Sequence, residues 1–303
     1  MLFDAYVTVD WSAHSTPCAG KDSVWIHALR RSGAELELAG RWNPRTRLEA
    51  MRKVRHFVAN SLTAGERVLV GFDFPFGYPA GFAARLDLPR DQAPWAAVWA
   101  LLAREVSDDE RNANDRFAVA ALLNRRVTGG RRPGPFWGVP AGQATDDLRP
   151  RMDGLDYDAL GLSERRLCER RARTTQPVWK LFGNGSVGGQ ALLGIAHLER
   201  LRRDPKLSDR TVVWPFEATD LRERPTDGQV VLAEIYPSLV PVGEGDGDLP
   251  RDALQVEAQA RWFAARDEDG SLHDALEAPA RLVDPQARAA CLTEEGWIVG
   301  VPA

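Results

Sequence analysis

The segment 67–79, RVLVGFDFPFGYP, carries the clearest structural signal in the chain. Its first six residues are almost all apolar, which is typical of a strand buried on both faces of a parallel sheet. Asp73 follows directly, and Pro75 and Pro79 end any regular strand there. The segment therefore predicts an α/β protein whose central strand has a carboxylate at its carboxyl end.

The residues before this segment predict three strands and a helix. Strands are expected at 5–10 (AYVTVD), 23–29 and 34–40, with a hairpin turn between the last two. The residues 45–62 place apolar side chains at helical spacing, namely Leu48, Met51, Val54, Val58 and Leu62. A meander followed by a helical crossover makes 67–72 the fourth strand and runs it parallel to the first.

The residues after the segment predict a fifth strand far along the chain. It is the apolar run 230–235, VVLAEI, and a helix at 252–265 follows it. Between the fourth and fifth strands we expect helices at 94–106, 109–126, 163–172 and 189–203, and an irregular loop at 127–150. The predicted protein is one α/β domain, residues 1–303. It has a mixed five-stranded sheet, flanking helices, and a long, mostly helical insertion at approximately 78–185, after the fourth strand.

Composition excludes several classes of protein. The chain has 303 residues and 44% hydrophobic side chains, which fits a globular protein and not a disordered or collagen-like one. No run approaches the roughly 18 apolar residues of a membrane span, and the N-terminus carries Asp4 where a signal peptide would be basic. The three cysteines are far apart and are interpreted as free thiols. These features predict a cytoplasmic protein that does not bind membranes.

Three acidic residues stand at or near the ends of the predicted central strands. Asp10 ends the first strand, Asp73 follows the fourth, and Glu234 lies near the end of the fifth. A single Asp in such a place is commonly a turn former. Ligands bind at the carboxyl edge of parallel sheets, however, and carboxylates that meet there repel one another. A divalent cation removes this repulsion, so the pattern favours a catalytic site for Mg²⁺ or Mn²⁺.

The fourth acid of such a site has several candidates. Asp252 begins the helix after the fifth strand, where an Asp also commonly serves as a helix cap. Asp274, in LHDALEA, competes with it on a short later helix, and Glu217 is a further acid. The residues alone leave this choice open.

The phrases VDWSAHS, GFDFPFGYP, GNGSVGGQALLGIAHLERL, AEIYPSL and EEGWIVGVP resemble, in this order, the family of predicted RNase H-like nucleases (domain of unknown function 429). The resemblance extends from the first strand to the C-terminal region. It implies an RNase H-like core and metal-binding acids at Asp10, Asp73 and Glu234. For the last helix, Asp252 matches best by order. The long insertion after Asp73 departs from the compact RNase H layout.

A glycine-rich stretch precedes one of the predicted helices. Residues 183–188, GNGSVG, match a dinucleotide-binding pattern, but the segment before them is a poor strand, which argues against a dinucleotide site. The start of a helix is a natural phosphate site, and Lys180, Asn184, Gly185 and Ser186 are the candidate substrate-binding residues there. The alternative is a glycine turn that only begins the helix.

The turn after the first strand is a second candidate phosphate cradle. It contains Ser12, and His14 as a candidate for proton transfer near Asp10. Actin-like ATPases and sugar kinases use a strand, an Asp and a small polar turn in this way, although they need two copies of the fold. A surface loop is the alternative interpretation.

The charge of the chain is divided between regions. The net charge is −4, but residues 111–180 hold 14 basic and 8 acidic side chains, whereas residues 216–303 hold 7 and 18. A basic insertion beside an acidic, metal-loaded cleft favours nucleic acid or nucleotide as partner. The leading hypothesis is thus a metal-dependent nuclease or phosphodiesterase with Asp10, Asp73, Glu234 and Asp252 as ligands. A nucleotide-binding phosphotransfer enzyme and a non-catalytic scaffold remain as alternatives.

Overall fold

The computed structural model describes residues 1–172, 174–243 and 249–303. Its centre is a mixed sheet of six strands with the spatial order β3-β2-β1-β4-β6-β5. The strands are β1 (Ala5–Asp10), β2 (Trp25–Ser32), β3 (Glu35–Trp42), β4 (Arg67–Phe72), β5 (Thr211–Val213) and β6 (Gln229–Glu234). β2 runs antiparallel to β1 and β3, whereas β1, β4, β6 and β5 are mutually parallel.

The prediction of five strands was wrong by one. The sixth strand, β5, is only three residues long and pairs with Val230, Val231 and Leu232 of β6 at the edge of the sheet. Three residues are too few to show a periodic pattern. The two hairpin strands also begin and end later than predicted, because the turn lies around Gly33, whose φ is 62°, and Arg30 and Arg31 belong to β2.

The α/β class and the helical crossover between β1 and β4 are confirmed. The helices, in chain order, are α1 (Arg47–Thr63), α2 (Phe82–Arg85), α3 (Pro94–Glu105), α4 (Arg116–Thr128), α5 (Tyr157–Leu160), α6 (Leu167–Arg171), α7 (Gly188–Arg202), α8 (Arg251–Glu268), α9 (Ser271–Glu277) and α10 (Pro285–Ala290). A π-helical turn, Cys291–Glu295, follows α10. Of the described helices, none is both long and apolar enough to cross a membrane.

Two predicted helices of the insertion are shorter than the sequence indicated. The helix predicted at 109–126 begins only at Arg116, because the Asp109 side chain accepts hydrogen bonds from the N–H groups of Arg111 and Ala113 and so holds a loop. The helix predicted at 163–172 is reduced to α6. The loop predicted at 127–150 is irregular apart from the end of α4 and one short 3-10 turn.

The two faces of the sheet pack against different elements. β4 is buried along its whole length, as predicted. On one face, Val9, Val70 and Phe72 join a core with residues of α1, α3 and α7. On the other face, α8 crosses β1 and β2, and the Thr8 hydroxyl donates to the Val256 carbonyl at 2.6 Å. Because successive side chains of a strand point to opposite faces, each side chain at the sheet edge lies either on the face of α1, α3 and α7 or on the face of α8.

Candidate functional site

Asp10 and Asp73 lie side by side at the carboxyl edge of the sheet. β1 and β4 are parallel and pair Val9 with Phe72, so the next residue of each strand is an aspartate. The Asp73 N–H donates to the Val9 carbonyl at 3.2 Å, and the Trp11 N–H donates to Asp73 Oδ1 at 2.6 Å. The two carboxyl groups are close enough to share a hydrogen bond. The sequence prediction that these two acids meet is confirmed.

Ionisation of both carboxyl groups of this pair is unfavourable. Burial, followed by the charge of Asp73, raises the pKa of Asp10 well above its usual value. Burial also raises the pKa of Asp73 to about 6, even though its hydrogen bonds to Asp10 and Trp11 oppose the rise. Two like charges in a half-buried place favour a shared proton or a bound cation.

Asp252 is the third acid near this pair. It lies in the first turn of α8, and its charge raises the pKa of both Asp10 and Asp73. Its Oδ2 accepts a hydrogen bond from the Asp22 N–H at 2.8 Å, so the side chain ties the loop before β2 and does not cap its own helix. α8 is placed here by its packing on β1 and β2.

The other two candidate acids lie elsewhere. Asp274 is exposed on α9 and pairs with Arg281 at 2.8 Å. Glu217 accepts a hydrogen bond from the Val213 N–H at 2.8 Å and lies within 3.4 Å of Arg202. Neither residue lines the cleft that contains Asp10.

Glu234 reaches the same edge but not the same face. β4 and β6 pair Phe72 with Glu234, which places Glu234 one residue out of step with the Asp10–Asp73 pair. Because side chains alternate along a strand, Glu234 points to the side of Phe72, away from α8. The expectation that Glu234 joins the two aspartates in one ligand cluster is therefore not met: the register separates it from them.

Glu234 instead belongs to a buried ion-pair network around Arg166. The Arg166 guanidinium donates to Glu234 Oε1 at 2.6 Å, to Glu234 Oε2 at 2.8 Å and to Glu169 Oε1 at 2.8 Å. It also donates to the Glu295 carbonyl at 2.9 Å, while the Glu295 carboxylate accepts from the Leu167 N–H at 2.7 Å. We call these four residues the Arg166 network. The sequence does not reveal this network, since Arg166 is one of several arginines in SERRLCERR and nothing local distinguishes it.

The Asp10–Asp73 pair and part of the Arg166 network border one cavity of about 420 Å³, which we call the carboxylate cleft. Asp10, Asp73 and Gln255 line it, and so do Arg166, Glu169 and Glu234, whereas Asp252 and Glu295 do not. The remaining described lining comes from the segment after β4, the loop after α6, the glycine-rich segment and first turn of α7, the segment after β6, and Ile298. Its polar side chains are Thr174, Thr175, Gln176, Ser186, Gln190, Tyr236 and Ser238.

The glycine-rich segment 183–188 forms a wall of this cleft. Gly183, Gly185 and Ser186 line it. Lys180 does not reach in as a free cation, because its Nζ donates to the Asn184 carbonyl at 2.7 Å and to Gln176 Oε1 at 3.2 Å. These two contacts connect Lys180 to the glycine-rich segment and to the loop before it. The amino end of α7 thus borders the cleft, as a phosphate-binding turn requires.

The turn after β1 is directed away from the cleft. The Ser12 hydroxyl is buried and donates to the Asp22 carbonyl at 3.1 Å, and His14 is exposed. Neither residue lines the cleft. The Arg47 guanidinium donates to the Ser12 carbonyl at 3.0 Å, which fixes the backbone of the turn. The structure therefore gives this turn a supporting position beside Asp10.

Arg47 is itself part of a second buried network. Its guanidinium contacts Asp108 at 2.6 Å through two nitrogens, and His197 Nε2 lies 2.8 Å from Asp108 Oδ2. The His197 ring packs edge-on to Trp11 at a centroid distance of 5.5 Å. Trp11 follows Asp10 and donates its N–H to Asp73. The network therefore packs against the residue that connects the two acids.

Within the described residues, one group of three metal-binding side chains brings its ligand atoms within 4.8 Å of one another, and it lies away from the cleft. It consists of Asp220, His273 and Glu277. Arg222 contacts His273 at 2.5 Å and Glu277 at 2.9 Å, and Arg281 contacts Glu277 at 2.5 Å. These guanidinium groups neutralise the cluster, so it is best described as a surface ion-pair cluster.

No protein-family model matches the chain, and no match is found among curated proteins or solved structures. The resemblance to predicted RNase H-like nucleases therefore stays a prediction.

Proposed function

We propose that the carboxylate cleft is the active site of a divalent-metal-dependent hydrolase of phosphodiester bonds, acting with Mg²⁺ or Mn²⁺. The observation that carries the proposal is the Asp10–Asp73 pair. Two neighbouring parallel strands hold these carboxylates together in a half-buried cleft, where burial raises the pKa of both. A hard divalent cation relieves that repulsion, and Mg²⁺ commonly binds through one or two carboxylates together with waters and phosphate oxygens.

Each residue of the cleft has a distinct place in this proposal. Asp10 and Asp73 are the direct ligands, and Asp252 adds negative charge from α8. Glu234 is a positioning residue, because its carboxylate is taken up by Arg166 and by the Phe76 N–H. When bound, the cation would supply a more acidic water and neutralise charge on the phosphate.

The glycine-rich wall supplies the second half of the proposed site. Gly183, Gly185 and Ser186 border the cavity that Asp10 and Asp73 border. Backbone N–H groups at the start of a helix favour a phosphate oxygen. A phosphodiester between the cation and this wall would have its charge neutralised on both sides.

The sheet supports an RNase H-like description of the fold. An antiparallel meander, β1 to β3, is followed by a helical crossover to β4 and by β6 on the far side of β4. This order agrees with the core that the sequence resemblance implies. The helices α2 to α6 lie within the proposed insertion at approximately 78–185, and β5 extends the sheet beyond the predicted five strands.

Hydrolysis assays test the proposal directly. The wild-type protein, Asp10→Asn and Asp73→Asn are compared on DNA, RNA and small phosphodiesters with Mg²⁺ or Mn²⁺. Asp274→Asn is the matched control, since Asp274 is an exposed aspartate outside the cleft. We expect metal-dependent hydrolysis that both cleft variants lose and the control keeps. Activity that persists in both cleft variants would refute the site assignment.

A nucleotide-binding phosphotransfer enzyme is the second candidate, favoured by the glycine-rich wall and the acids bordering the same cavity. Protection of the protein by ATP with Mg²⁺ in a thermal-shift assay, together with phosphate transfer to an acceptor, would favour it. An intact fold that shows no stabilisation by Mg²⁺ or Mn²⁺ would instead favour a non-catalytic scaffold.

A further inference from the structure

The carboxylate cleft has the size of a small-molecule site. Its volume of about 420 Å³ falls in the range of pockets that enclose a ligand such as a mononucleotide. Protein–nucleic acid interfaces extend over about 1,000–2,500 Å² of strongly positive protein surface, so a polymer would have to contact surface far beyond the cleft. The cleft is therefore too small to contact more than one end or one unit of a polymer.

The cations beside the cleft are already paired with protein groups. Arg166 lines it, but three of its hydrogen bonds go to the carboxylates of Glu169 and Glu234. Lys180 donates to Gln176 and to the Asn184 carbonyl. Along the described lining, Arg166 is the one arginine or lysine, against four acidic side chains. Along this described lining, the chain therefore presents no unpaired lysine or arginine that could bind a phosphate.

The basic residues of the insertion contribute little positive charge to the lining of the cleft. Arg125 pairs with Asp147 at 2.7 Å, and Arg126 pairs with Glu105 at 3.2 Å. Arg116 is almost fully buried. Arg166 is the one basic residue of the described part of 111–180 that lines the cleft. Arg125 and Arg126 are thus neutralised and Arg116 is turned inward, while exposed arginines of the region, such as Arg131 and Arg132, lie outside the lining of the cleft.

Neutral polar groups also line the cavity, among them the Gln255 amide and the Ser238 hydroxyl. Gln190 and Thr175 line it too, but the Gln190 amide nitrogen donates to the Trp11 carbonyl, and the Thr175 hydroxyl donates to the carbonyls of Glu169 and Ala172. Such groups form hydrogen bonds with sugar hydroxyls, base edges or other uncharged polar groups, and the strength of these hydrogen bonds depends little on the salt concentration. The negative charge of the lining then has to be compensated by the cation that Asp10 and Asp73 bind.

We infer, on the basis of the proposed function, that the substrate is a small organic phosphodiester that enters the cleft whole, and not a nucleic-acid polymer. The metal supplies the attraction for the phosphate, and the neutral wall recognises the organic groups. A polymer would need several lysine or arginine contacts along its backbone, and its binding would fall steeply with salt.

Binding measured by calorimetry tests this inference without depending on turnover. The full chain, with Ca²⁺ in place of Mg²⁺ to slow hydrolysis, is titrated with bis(4-nitrophenyl) phosphate, with a cyclic mononucleotide, and with single-stranded DNA of about 20 nucleotides. Each titration is repeated at about 50 and about 200 mM salt. We expect at least one small diester to bind, with a change of no more than about twofold between the two salt concentrations. DNA should bind no more tightly than that diester.

Two variants sharpen the experiment. Gln255→Leu removes an amide that lines the cleft, and it should weaken binding of the small diester by about three- to tenfold. The double variant Arg131→Gln, Arg132→Gln removes two exposed cations of the insertion and should change neither ligand's affinity. DNA that binds about tenfold more tightly than either diester, with a steep salt dependence that the double variant reduces, would overturn the inference.

The outcomes also separate this inference from the proposed function. Metal-dependent DNA hydrolysis that Asp10→Asn abolishes, combined with no binding of either small diester, would refute the small-substrate inference and leave the proposed function standing. If no ligand binds with Ca²⁺ and no divalent cation stabilises the protein, both are refuted.

Discussion

Arg166 and Glu234 form a two-point ion pair, with distances of 2.6 and 2.8 Å, although 68 residues separate them in the sequence. Both side chains are almost completely buried. The pair joins the end of β6 to the start of α6, and Glu234 also accepts the Phe76 N–H at 2.9 Å, which adds the segment after β4. The Arg166 guanidinium therefore fixes a wall of the carboxylate cleft, and the carboxylates it contacts neutralise its positive charge.

Arg166→Met should strongly destabilise the protein. The substitution leaves Glu169 and Glu234 buried without their cation, and breaking a buried pair in this way costs about 3–5 kcal/mol. Urea unfolding measures the loss. Arg125→Met is the control, because Arg125 belongs to an exposed pair, and its loss should cost less than about 1 kcal/mol. Equal effects of the two substitutions would contradict the importance of the Arg166 network.

Asp10→Asn should stabilise the metal-free protein at neutral pH. The folded state raises the pKa of Asp10 and of Asp73, so the pair favours the protonated form. Its destabilising effect is small below pH about 4, the ordinary value for Asp, and grows as the pH rises through the raised pKa values of the two acids, of which that of Asp73 is about 6. We expect a gain on the order of 1–3 kcal/mol at pH 7.5 that shrinks toward pH 4.5. Thermal unfolding across this range checks the sign, with Asp274→Asn as control.

Mg²⁺ should stabilise the wild-type protein in a pH-dependent way. A ligand at about 100 times its Kd adds about 2.7 kcal/mol to the free energy of unfolding. The carboxylates have to lose their protons to bind the ion, so the rise in Tm should disappear as the pH falls through about 6. Asp73→Asn should remove the rise at every pH. A rise in Tm that Asp73→Asn retains would place the cation elsewhere, with the Asp220–His273–Glu277 cluster the first place to look.

Gly188→Ala should destabilise the protein and distort the glycine-rich wall. A Cβ at this position would lie 2.4 Å from the Val178 carbonyl oxygen and 2.7 Å from that of Lys180, and both are backbone atoms. Overpacking of this kind costs about 1–3 kcal/mol. Gly142→Ala is the matched control, because a Cβ there meets no atom within 4 Å. Differential scanning calorimetry should show a lower Tm for the first variant and little change for the second.

The sequence was sufficient to predict the Asp10–Asp73 pair. The continuous apolar run before Asp73 identifies a strand buried on both faces, and a helical crossover makes it parallel to β1. Parallel neighbours end at one edge, so their terminal acids meet. This inference uses local patterns together with one rule of chain topology, and both are visible in the sequence.

The sequence was not sufficient to place Glu234. The run VVLAEI predicts a strand that ends near this residue, but the face on which the side chain lies depends on the register of β6 against β4. A shift of one residue reverses the face. Register is set by packing on both sides of the sheet, and no local pattern records it.

Arg166 was missed for a related reason. Its partners lie 3, 68 and 129 residues away, so its environment is made almost entirely by tertiary contacts. In the sequence it lies in a segment rich in charged residues, SERRLCERR, and resembles a residue of an exposed helix. Buried charges can be recognised only when the groups that neutralise them are known.

The pairing of β4 with β6 has a consequence for how the protein is made. Arg67 pairs with Gln229, 162 residues later, so one side of β4 has no partner until most of the chain has left the ribosome. During that interval the nascent chain exposes RVLVGF, an apolar segment with an open strand edge, which is prone to aggregate. Fragments that end before residue 229 should therefore be recovered as aggregates. A soluble version of such a fragment will need β6 supplied as a separate peptide.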